Sequence, residues 1–330
     1  MSDLHLLQLD IRSKDLKQES IRDGFGRGLV TAGKQDDQIV VICADLTDST
    51  KVSLFAEAFP DRFVEAGIAE QDITTVGSGM AAMGKKPFVT SYAAFCPGRT
   101  WEQIRTTICL NDQPVKIVGS HAGLYTSPDG ATHQALEDIT LMRVMPNMVV
   151  LVPCDSVESE KMASAMAADK RPNYVRLARG VSPILTTPDT PFAIGPAYVF
   201  REGADITLVA TGTMTYQALV AADMLHKDGI SAEVIHVPTI KPLDGKTILN
   251  SARKTGAVVV AEEGQINGGL GGAVAELLGE HLPTPMRRIG MKDEFGQSAQ
   301  TPEELLKHYG LDAMHITLAA HDVLEHKSKT

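Results

Sequence analysis

"RFVEAGIAEQDITTVGSGMAAMG" (residues 62–84) predicts a short buried strand followed directly by a helix rich in small residues. Gly, Ser and Ala recur along that helix, so another segment can approach its backbone closely. Glu70 stands where the strand gives way to the helix, and a carboxylate is favoured beside the positive end of a helix dipole. On this stretch alone, an ordinary first-turn glutamate explains Glu70 as well as a functional group does.

The same alternation of strand and helix continues on both sides of this stretch. Apolar runs without polar interruptions indicate strands that are covered on both faces, as in a parallel sheet. In the first half of the chain, the predicted strands are 38–46, 86–92, 114–120, 147–153 and 173–178. In the second half, the predicted strands are 205–211, 232–237, 256–261 and 286–290, and the predicted helices are 214–228, 244–254 and 270–280.

A Pro-containing stretch at 179–196 separates the two halves. With 330 residues, the chain is long enough to form two cores. We therefore predict an α/β fold of two doubly wound domains with largely parallel sheets, over residues 14–188 and 189–330. In open parallel sheets, binding sites lie beyond the carboxyl ends of the strands, so the loops at those ends hold the candidate functional residues.

Composition argues against several classes of protein. The chain has 31 basic and 41 acidic residues and no run of Lys or Arg, which argues against binding to nucleic acid or to an anionic membrane. Residues 1–20 are too charged for a signal peptide, and no apolar segment approaches a transmembrane length. The four cysteines show no metal-binding or redox spacing, which predicts reduced core thiols and a cytoplasmic location.

Two aromatic residues, Tyr92 and Phe95, come at the end of the predicted strand 86–92. Their spacing places them on one face if a helix begins there. Aromatic residues make up only 5% of the chain, so two of them at a strand end suggest a flat apolar platform, although core packing also explains the pair. Arg99 and Trp101, in the same segment, are interpreted as helix-surface and packing residues.

The loop at 119–139 carries His121, Asp129 and His133. A "PDG" turn is followed by a helix predicted to begin near Thr132. A long loop with two histidines and an aspartate after a buried strand is typical of a functional loop. A histidine at a helix start stays neutral and suits hydrogen bonding to a substrate hydroxyl, whereas the wide spacing of the two histidines argues against a metal site.

Arg22 and Arg179 are candidates for binding a phosphate through paired hydrogen bonds, and surface salt bridges are the alternative interpretation for each. The glycines of residues 257–278 imitate a dinucleotide-binding fingerprint. However, "GGLGG" does not give G-x-G-x-x-G in register after the strand. We interpret this stretch as close helix packing or a subunit contact.

Five motifs, in this order, resemble the pyrimidine-binding half of the transketolase family of thiamine diphosphate enzymes: "AGIAEQD", "FVTSYAAFCPGR", "GSHAGLY", "PDGATHQALED" and "YVRLARG". The resemblance extends into "AEEGQINGGLGGAVAELL" and "GMKDEFGQSAQTPEELLKHYGLD", which are similar to the C-terminal domain of that family. It implies that residues 14–188 form the pyrimidine-binding domain and residues 189–330 the transketolase C-terminal domain.

The resemblance also implies residue roles. The carboxylate matched by Glu70 hydrogen-bonds a ring nitrogen of the aminopyrimidine of thiamine diphosphate and acts as an acid/base group. The ring itself is lined by the residues matched by Tyr92 and Phe95. The resemblance implies that His121, Asp129 and His133 contact the sugar substrate. It implies that Arg22 and Arg179 bind the phosphate of that sugar. The catalytic set implied by the resemblance is Glu70, His133 and His121.

One departure from the family pattern is important. Full-length members begin with a domain whose Gly-Asp-Gly stretch helps to hold Mg²⁺ and the diphosphate, and "GDG" is absent from this sequence. The chain therefore resembles the C-terminal subunit of a split transketolase. An N-terminal pyrophosphate-binding subunit is the expected partner and would hold most of the Mg²⁺ ligands. A self-dimer and an α₂β₂ heterotetramer are expected.

The implied reaction moves a two-carbon ketol unit from a ketose phosphate to an aldose phosphate. A 1-deoxyxylulose-5-phosphate synthase is an alternative, because "IAEQ" and "YAAF" resemble the synthases, whereas His121 stands where they carry Arg. The beta subunit of a 2-oxo acid dehydrogenase is similar in length, but "DGATHQ" counts against it. A catalytically silent assembly subunit is a further alternative, although it has no need of polar groups that converge on one cleft.

Overall fold

The computed structural model describes residues 7, 13 and 15–327. Within them the strands are β1 (Gln18–Ser20), β2 (Ile39–Cys43), β3 (Phe63–Glu65), β4 (Lys86–Tyr92), β5 (Lys116–Ser120), β6 (Val149–Leu151), β7 (Asn173–Arg176), β8 (Val181–Pro183), β9 (Tyr198–Arg201), β10 (Ile206–Ala210), β11 (Ala232–His236), β12 (Thr239–Lys241), β13 (Val258–Gln265) and β14 (Met286–Met291). The α-helices are α1 (Ile21–Gln35), α2 (Ser53–Ala58), α3 (Glu70–Ala82), α4 (Trp101–Gln103), α5 (Asp138–Arg143), α6 (Ser156–Ala168), α7 (Met214–Lys227), α8 (Gly245–Thr255), α9 (Leu270–His281), α10 (Pro302–His308) and α11 (Ala313–Lys327).

Two large sheets organise the fold. One has seven strands in the order β12-β6-β7-β5-β4-β2-β3, and the other has five in the order β14-β13-β10-β11-β9. All neighbours pair in parallel except β12 with β6 and β9 with β11. The strands β1 and β8 form a small antiparallel ribbon. The predicted α/β class with largely parallel sheets is confirmed, and each strand predicted from an apolar run overlaps a strand of one of the two large sheets.

Strand β12 ties the two halves together. Its residues follow β11 of the second sheet, yet Thr239 pairs with Leu151 of β6 in the first. Ile240 is 1% exposed, and buried apolar side chains of both halves pack in common clusters. The limits at residues 14 and 330 fall outside the described residues, and the predicted division into 14–188 and 189–330 stays a prediction.

Helix α3 begins at Glu70, as the sequence predicts, and its small residues allow close packing. A Cβ added to Gly77 would lie 2.6 Å from Cγ2 of Val89 on β4. Gly24 of α1 lies closer still to a neighbour, since an added Cβ would be 1.8 Å from the carbonyl oxygen of Ser156 at the start of α6. These contacts set the helices directly against neighbouring elements.

One local prediction is wrong, and one condition set by the sequence analysis is not met. The helix expected near Thr132 begins instead at Asp138, because the chain around Ala135 extends beside Ala122 in an isolated parallel bridge. The segment after Tyr92 is a series of turns rather than a helix: the amides of Phe95 and Cys96 both donate to the Tyr92 carbonyl. The next helix, α4, begins only at Trp101.

Three further expectations concern transmembrane helices, a signal peptide and the cysteines. Among the helices of the described ranges, none combines the length and apolar character that a bilayer crossing requires. The expectation that no signal peptide is present concerns residues 1–20, most of which lie outside the described residues. Four cysteines are buried and unpaired: Cys43, Cys96, Cys109 and Cys154.

Candidate active site

Glu70 lies at the carboxyl edge of the seven-stranded sheet as the first residue of α3. Its side chain is 2% exposed, and its Oε2 lies 2.8 Å from Nη1 of Arg99. The hydroxyl of Ser91 on β4 donates to Oε1 across 3.3 Å. The burial of this charge is therefore offset by a helix N-terminus and an arginine. The sequence interpretation missed Arg99, whose only signal was its position in the same post-strand loop as Tyr92.

Four of the predicted residues form one ring cluster: Tyr92, Phe95, His121 and His133. The ring of His121 stacks on Tyr92 with centroids 3.8 Å apart, and Tyr92 stacks with Phe95 at 6.1 Å. The ring of His133 meets Phe95 edge-on at 5.4 Å. The end of β4 and the loops after β4 and β5 supply the four rings, because neighbouring parallel strands bring their carboxyl ends to one edge.

His121 is held as a neutral ring. It is 2% exposed, and its Nε2 lies 3.3 Å from Nη1 of Arg22. Arginine only donates hydrogen bonds, so Nε2 accepts, and the proton on Nδ1 points to Ser120 Oγ at 2.9 Å. Burial and then the charges of Arg22 and Arg179 lower the pKa of His121 to about 2. Both ring nitrogens are therefore engaged within the protein.

Arg22 is anchored by protein groups. Its Nε donates to Ser20 Oγ at 3.2 Å, Nη1 to the Ser49 carbonyl at 2.5 Å and Nη2 to the Arg179 carbonyl at 2.6 Å. Together with the contact to His121, these bonds use four of its five N–H groups. Burial lowers the pKa of Arg22, with the nearby Arg179 charge adding to the effect. Arg22 thus joins three segments of the chain, and one N–H remains for a ligand.

The remaining predicted residues differ in their exposure. Arg179 follows β7 and is half-buried. His133 is also half-buried, with Nδ1 2.8 Å from Thr132 Oγ1, and within the described ranges its Nε2 has no hydrogen-bond partner. Asp129 is exposed at the end of a 3-10 helix over Leu124–Asp129. No hydrogen bond or ion pair in the described part of the chain ties Asp129 to the rings.

The glycine-rich stretch after β13 binds a carboxylate from the protein itself. The amides of Leu270 and Gly271, at the start of α9, donate to Glu262 across 2.8 and 2.7 Å. A Cβ on Gly269 would lie 2.0 Å from Oε2 of Glu262. Burial raises the pKa of Glu262 to about 7. The helix N-terminus that a dinucleotide phosphate would need is filled, so the dismissal of that motif agrees with the structure.

One buried trio offers metal-ligating atoms among the described residues: Cys154, Glu158 and His236. Nε2 of His236 lies 2.9 Å from Glu158 Oε2, which also accepts from the Cys154 amide at 2.8 Å. The other ring nitrogen of His236 lies 2.8 Å from Thr215 Oγ1. These groups already satisfy one another, and they join α6 of the first half to β11 of the second.

A cavity of about 140 Å³ lies beside the ring cluster, lined by Ala93, Gly98 and Ala135 among others. A cavity of about 570 Å³ lies elsewhere, between α5 and α9, with Arg143 and Glu276 in its wall. The candidate site is thus a sheet edge carrying a buried acid, stacked rings and three arginines: Arg22, Arg99 and Arg179.

Family models match most of the chain. The model of the transketolase pyrimidine-binding domain matches residues 17–183, and that of the transketolase C-terminal domain matches residues 195–316. The 6-deoxy-6-sulfo-D-fructose transketolase subunit SqwH of Clostridium sp. (strain MSTE9) is 40% identical over 313 residues, which cover 95% of this chain and 97% of that protein.

Two further similarities bear on the activity and the assembly. The 1-deoxy-D-xylulose-5-phosphate synthase of Thermomicrobium roseum (strain ATCC 27502 / DSM 5159 / P-2) is 38% identical over 92% of this chain, which spans 49% of that protein. A solved structure described as "Split gene transketolase, inactive beta4 tetramer" is 45% identical with a TM-score of 0.87. That comparison covers 93% of this chain and 99% of the other.

Proposed function

The chain belongs to the transketolase family, and from this we propose that it is the pyrimidine-binding subunit of a split, thiamine diphosphate dependent transketolase. In this proposal, the assembled enzyme transfers a two-carbon ketol unit from a ketose phosphate to an aldose phosphate. The observation that carries the proposal is the buried carboxylate of Glu70, 2% exposed, which Arg99 links to the stacked rings of Phe95 and Tyr92.

The residues fit the aminopyrimidine end of the cofactor. Tyr92 and Phe95 are half-buried, so their rings can receive a flat aromatic group. Glu70 now pairs with Arg99, and a ring nitrogen of the aminopyrimidine can take the place of that arginine. The cofactor, when bound, supplies the carbon nucleophile. Glu70 holds a ring nitrogen by a hydrogen bond and passes a proton to or from it.

The two histidines receive different roles in this proposal. His133 has a ring nitrogen, Nε2, that is free to hydrogen-bond a sugar hydroxyl or carbonyl. His121 has none free, since Arg22 and Ser120 occupy both of its nitrogens. The structure thus favours His133 for the substrate contact predicted for both. His121 stacks against the Tyr92 ring and so supports it.

For the substrate phosphate, Arg179 is the better candidate of the two arginines. Its side chain adds positive charge beside Arg22 and His121 and lies after β7 at the same sheet edge. Arg22 retains one N–H beyond its protein contacts and contributes mainly by fixing the backbone of Arg179. Asp129 is assigned to a sugar hydroxyl only once the substrate brings that exposed loop inward.

A partner subunit completes the site in this proposal. The sequence has no Gly-Asp-Gly stretch, and hard oxygen ligands are what a Mg²⁺-bound diphosphate requires. The alignment with 97% of a protein named as a transketolase subunit supports the same view. We therefore assign Mg²⁺ and diphosphate binding to the partner and expect an α₂β₂ heterotetramer.

Synthase chemistry is the second candidate, because a 1-deoxy-D-xylulose-5-phosphate synthase is 38% identical over 92% of the chain. His121 is neutral, and both of its ring nitrogens have hydrogen-bond partners within the protein. It therefore offers no positive charge to a pyruvate carboxylate, which favours the transketolase assignment.

Reconstitution with the partner separates the two candidates. The assay compares xylulose phosphate plus ribose phosphate with pyruvate plus glyceraldehyde phosphate. Turnover of the first pair supports the proposal, and turnover of only the second overturns it. The chain alone, given cofactor and Mg²⁺, serves as the control and should be inactive.

A further inference from the structure

We propose that Arg99 occupies the place of the cofactor's aminopyrimidine in the free subunit and is displaced when the cofactor binds. This inference rests on the proposed function. The guanidinium carbon of Arg99 lies 4.9 Å from the ring centroid of Phe95, and its Nη1 lies 2.8 Å from Glu70 Oε2. A planar cation thus makes the two contacts that a planar pyrimidine needs: one with an aromatic face and one with the buried carboxylate.

The carboxylate needs such a placeholder. The Glu70 side chain is 2% exposed, and an ionised group so deeply buried is costly without a partner. The Ser91 hydroxyl, at 3.3 Å, is a neutral donor and offsets only part of that cost. Arg99 therefore gives the buried Glu70 carboxylate a charged partner before the cofactor arrives.

Arg99 is also free to leave. Its side chain is 51% exposed, so the guanidinium can return to water while its aliphatic part stays on the protein. Residues 93–100 form turns rather than a helix, and Arg99 lies near the end of this segment. Binding of the pyrimidine then exchanges an ion pair for a hydrogen bond, and part of the binding free energy is spent on that exchange.

The placeholder role of Arg99 is tested by the affinity of the complex for thiamine diphosphate rather than by its turnover. Replacing Arg99 by Gln removes the competing ion pair and leaves Glu70 in need of a partner. The Kd of the reconstituted complex for thiamine diphosphate, at saturating Mg²⁺, should fall by about two- to fivefold, as expected for loss of a half-exposed ion pair. The quenching of Trp101 fluorescence or titration calorimetry measures it.

Three further variants isolate the cause. Arg105→Gln removes an exposed arginine of the adjoining π-helix Ile104–Cys109 and should leave Kd unchanged. Arg99→Lys keeps the positive charge, so its Kd for thiamine diphosphate should return toward that of the wild-type complex. In a Glu70→Gln background, Arg99→Gln should change Kd by less than about twofold, because no ion pair is left to break.

The outcomes are distinguishable from those of the proposed function. If the wild-type complex binds no thiamine diphosphate, the proposed function fails and this inference fails with it. If the wild-type complex binds the cofactor and Arg99→Gln leaves Kd unchanged or raises it, only the placeholder role is overturned. An equal effect of Arg99→Gln with and without Glu70 also overturns it, because the effect would not pass through the carboxylate.

Discussion

Nη1 of Arg22 lies 3.3 Å from Nε2 of His121, and this contact fixes the imidazole as a neutral acceptor. The pair joins the start of α1 to the loop after β5, two segments 99 residues apart in the chain. The sequence resemblance implies a catalytic role for His121, whereas this contact holds its ring stacked against Tyr92. Its consequences are measurable in both stability and catalysis.

Acid sensitivity should decrease when His121 is replaced. Its pKa is lowered to about 2 in the folded chain, so between about pH 6.5 and pH 2 the unfolded chain binds the extra proton. Stability is therefore lost as the pH falls below about 6.5, at roughly 1 kcal/mol per pH unit. His121→Gln should flatten the free energy of unfolding between pH 7 and 5, as measured by urea titration. An equal flattening by His281→Gln, at an exposed position, would contradict the assignment.

The two histidines should differ in kinetics. His133→Ala removes the free Nε2 and should lower kcat/KM for the sugar phosphates about tenfold or more in the reconstituted complex. His121→Gln keeps a flat polar group on Tyr92 and should cost much less. Steady-state kinetics with each substrate varied measures both effects. The reverse ranking would return the substrate contact to His121.

The buried ion pair of Arg176 with Asp138 should matter strongly for folding. Nε of Arg176 lies 3.1 Å from Asp138 Oδ2, and Nη1 lies 3.8 Å from Glu263 Oε2 of the second half. Arg176→Met leaves two buried carboxylates without their cation and should destabilise the chain by about 3–5 kcal/mol. Arg171→Met, whose partner Asp169 lies near the surface, should cost less than about 1 kcal/mol in the same urea titration. Equal losses of unfolding free energy in Arg176→Met and Arg171→Met would contradict the prediction that the buried ion pair matters more.

Glycines in two helices should respond in opposite directions. Gly24→Ala pushes a methyl group into the Ser156 carbonyl, 1.8 Å from the ideal Cβ position, and should destabilise the chain by about 1–3 kcal/mol. Gly79→Ala on α3 meets nothing within 4 Å and should stabilise it by about 0.5–1 kcal/mol, because alanine is the better helix former. Thermal unfolding of both variants tests the packing of α1 on α6.

Central strands were predictable because their side chains are covered on both faces. The predicted strand 86–92 matches β4 residue for residue, and helix α3 begins at Glu70 as expected. Strand β12 was missed, since its three residues, "TIK", carry no pattern and are defined only by pairing with β6. Edge strands that cross between sheets depend on tertiary contacts that a local pattern does not contain.

The candidate site was predictable as a set of residues but not as a set of contacts. Tyr92, Phe95, His121 and His133 meet because neighbouring parallel strands end at one edge. The partner of Glu70 was not predicted, because Arg99 reaches it through a series of turns that no local sequence pattern indicates. Likewise, the anchoring of Arg22 by two distant carbonyls is invisible in "SIRDGFGRG".

Turnover by Glu70→Ala in the complex reconstituted with the pyrophosphate-binding partner tests the central claim most directly. The account predicts that kcat falls by about 10²-fold or more, because the acid/base group facing the aminopyrimidine is gone. The variant should still assemble with its partner, which size-exclusion chromatography checks. A kcat equal to that of the wild-type complex would contradict the account.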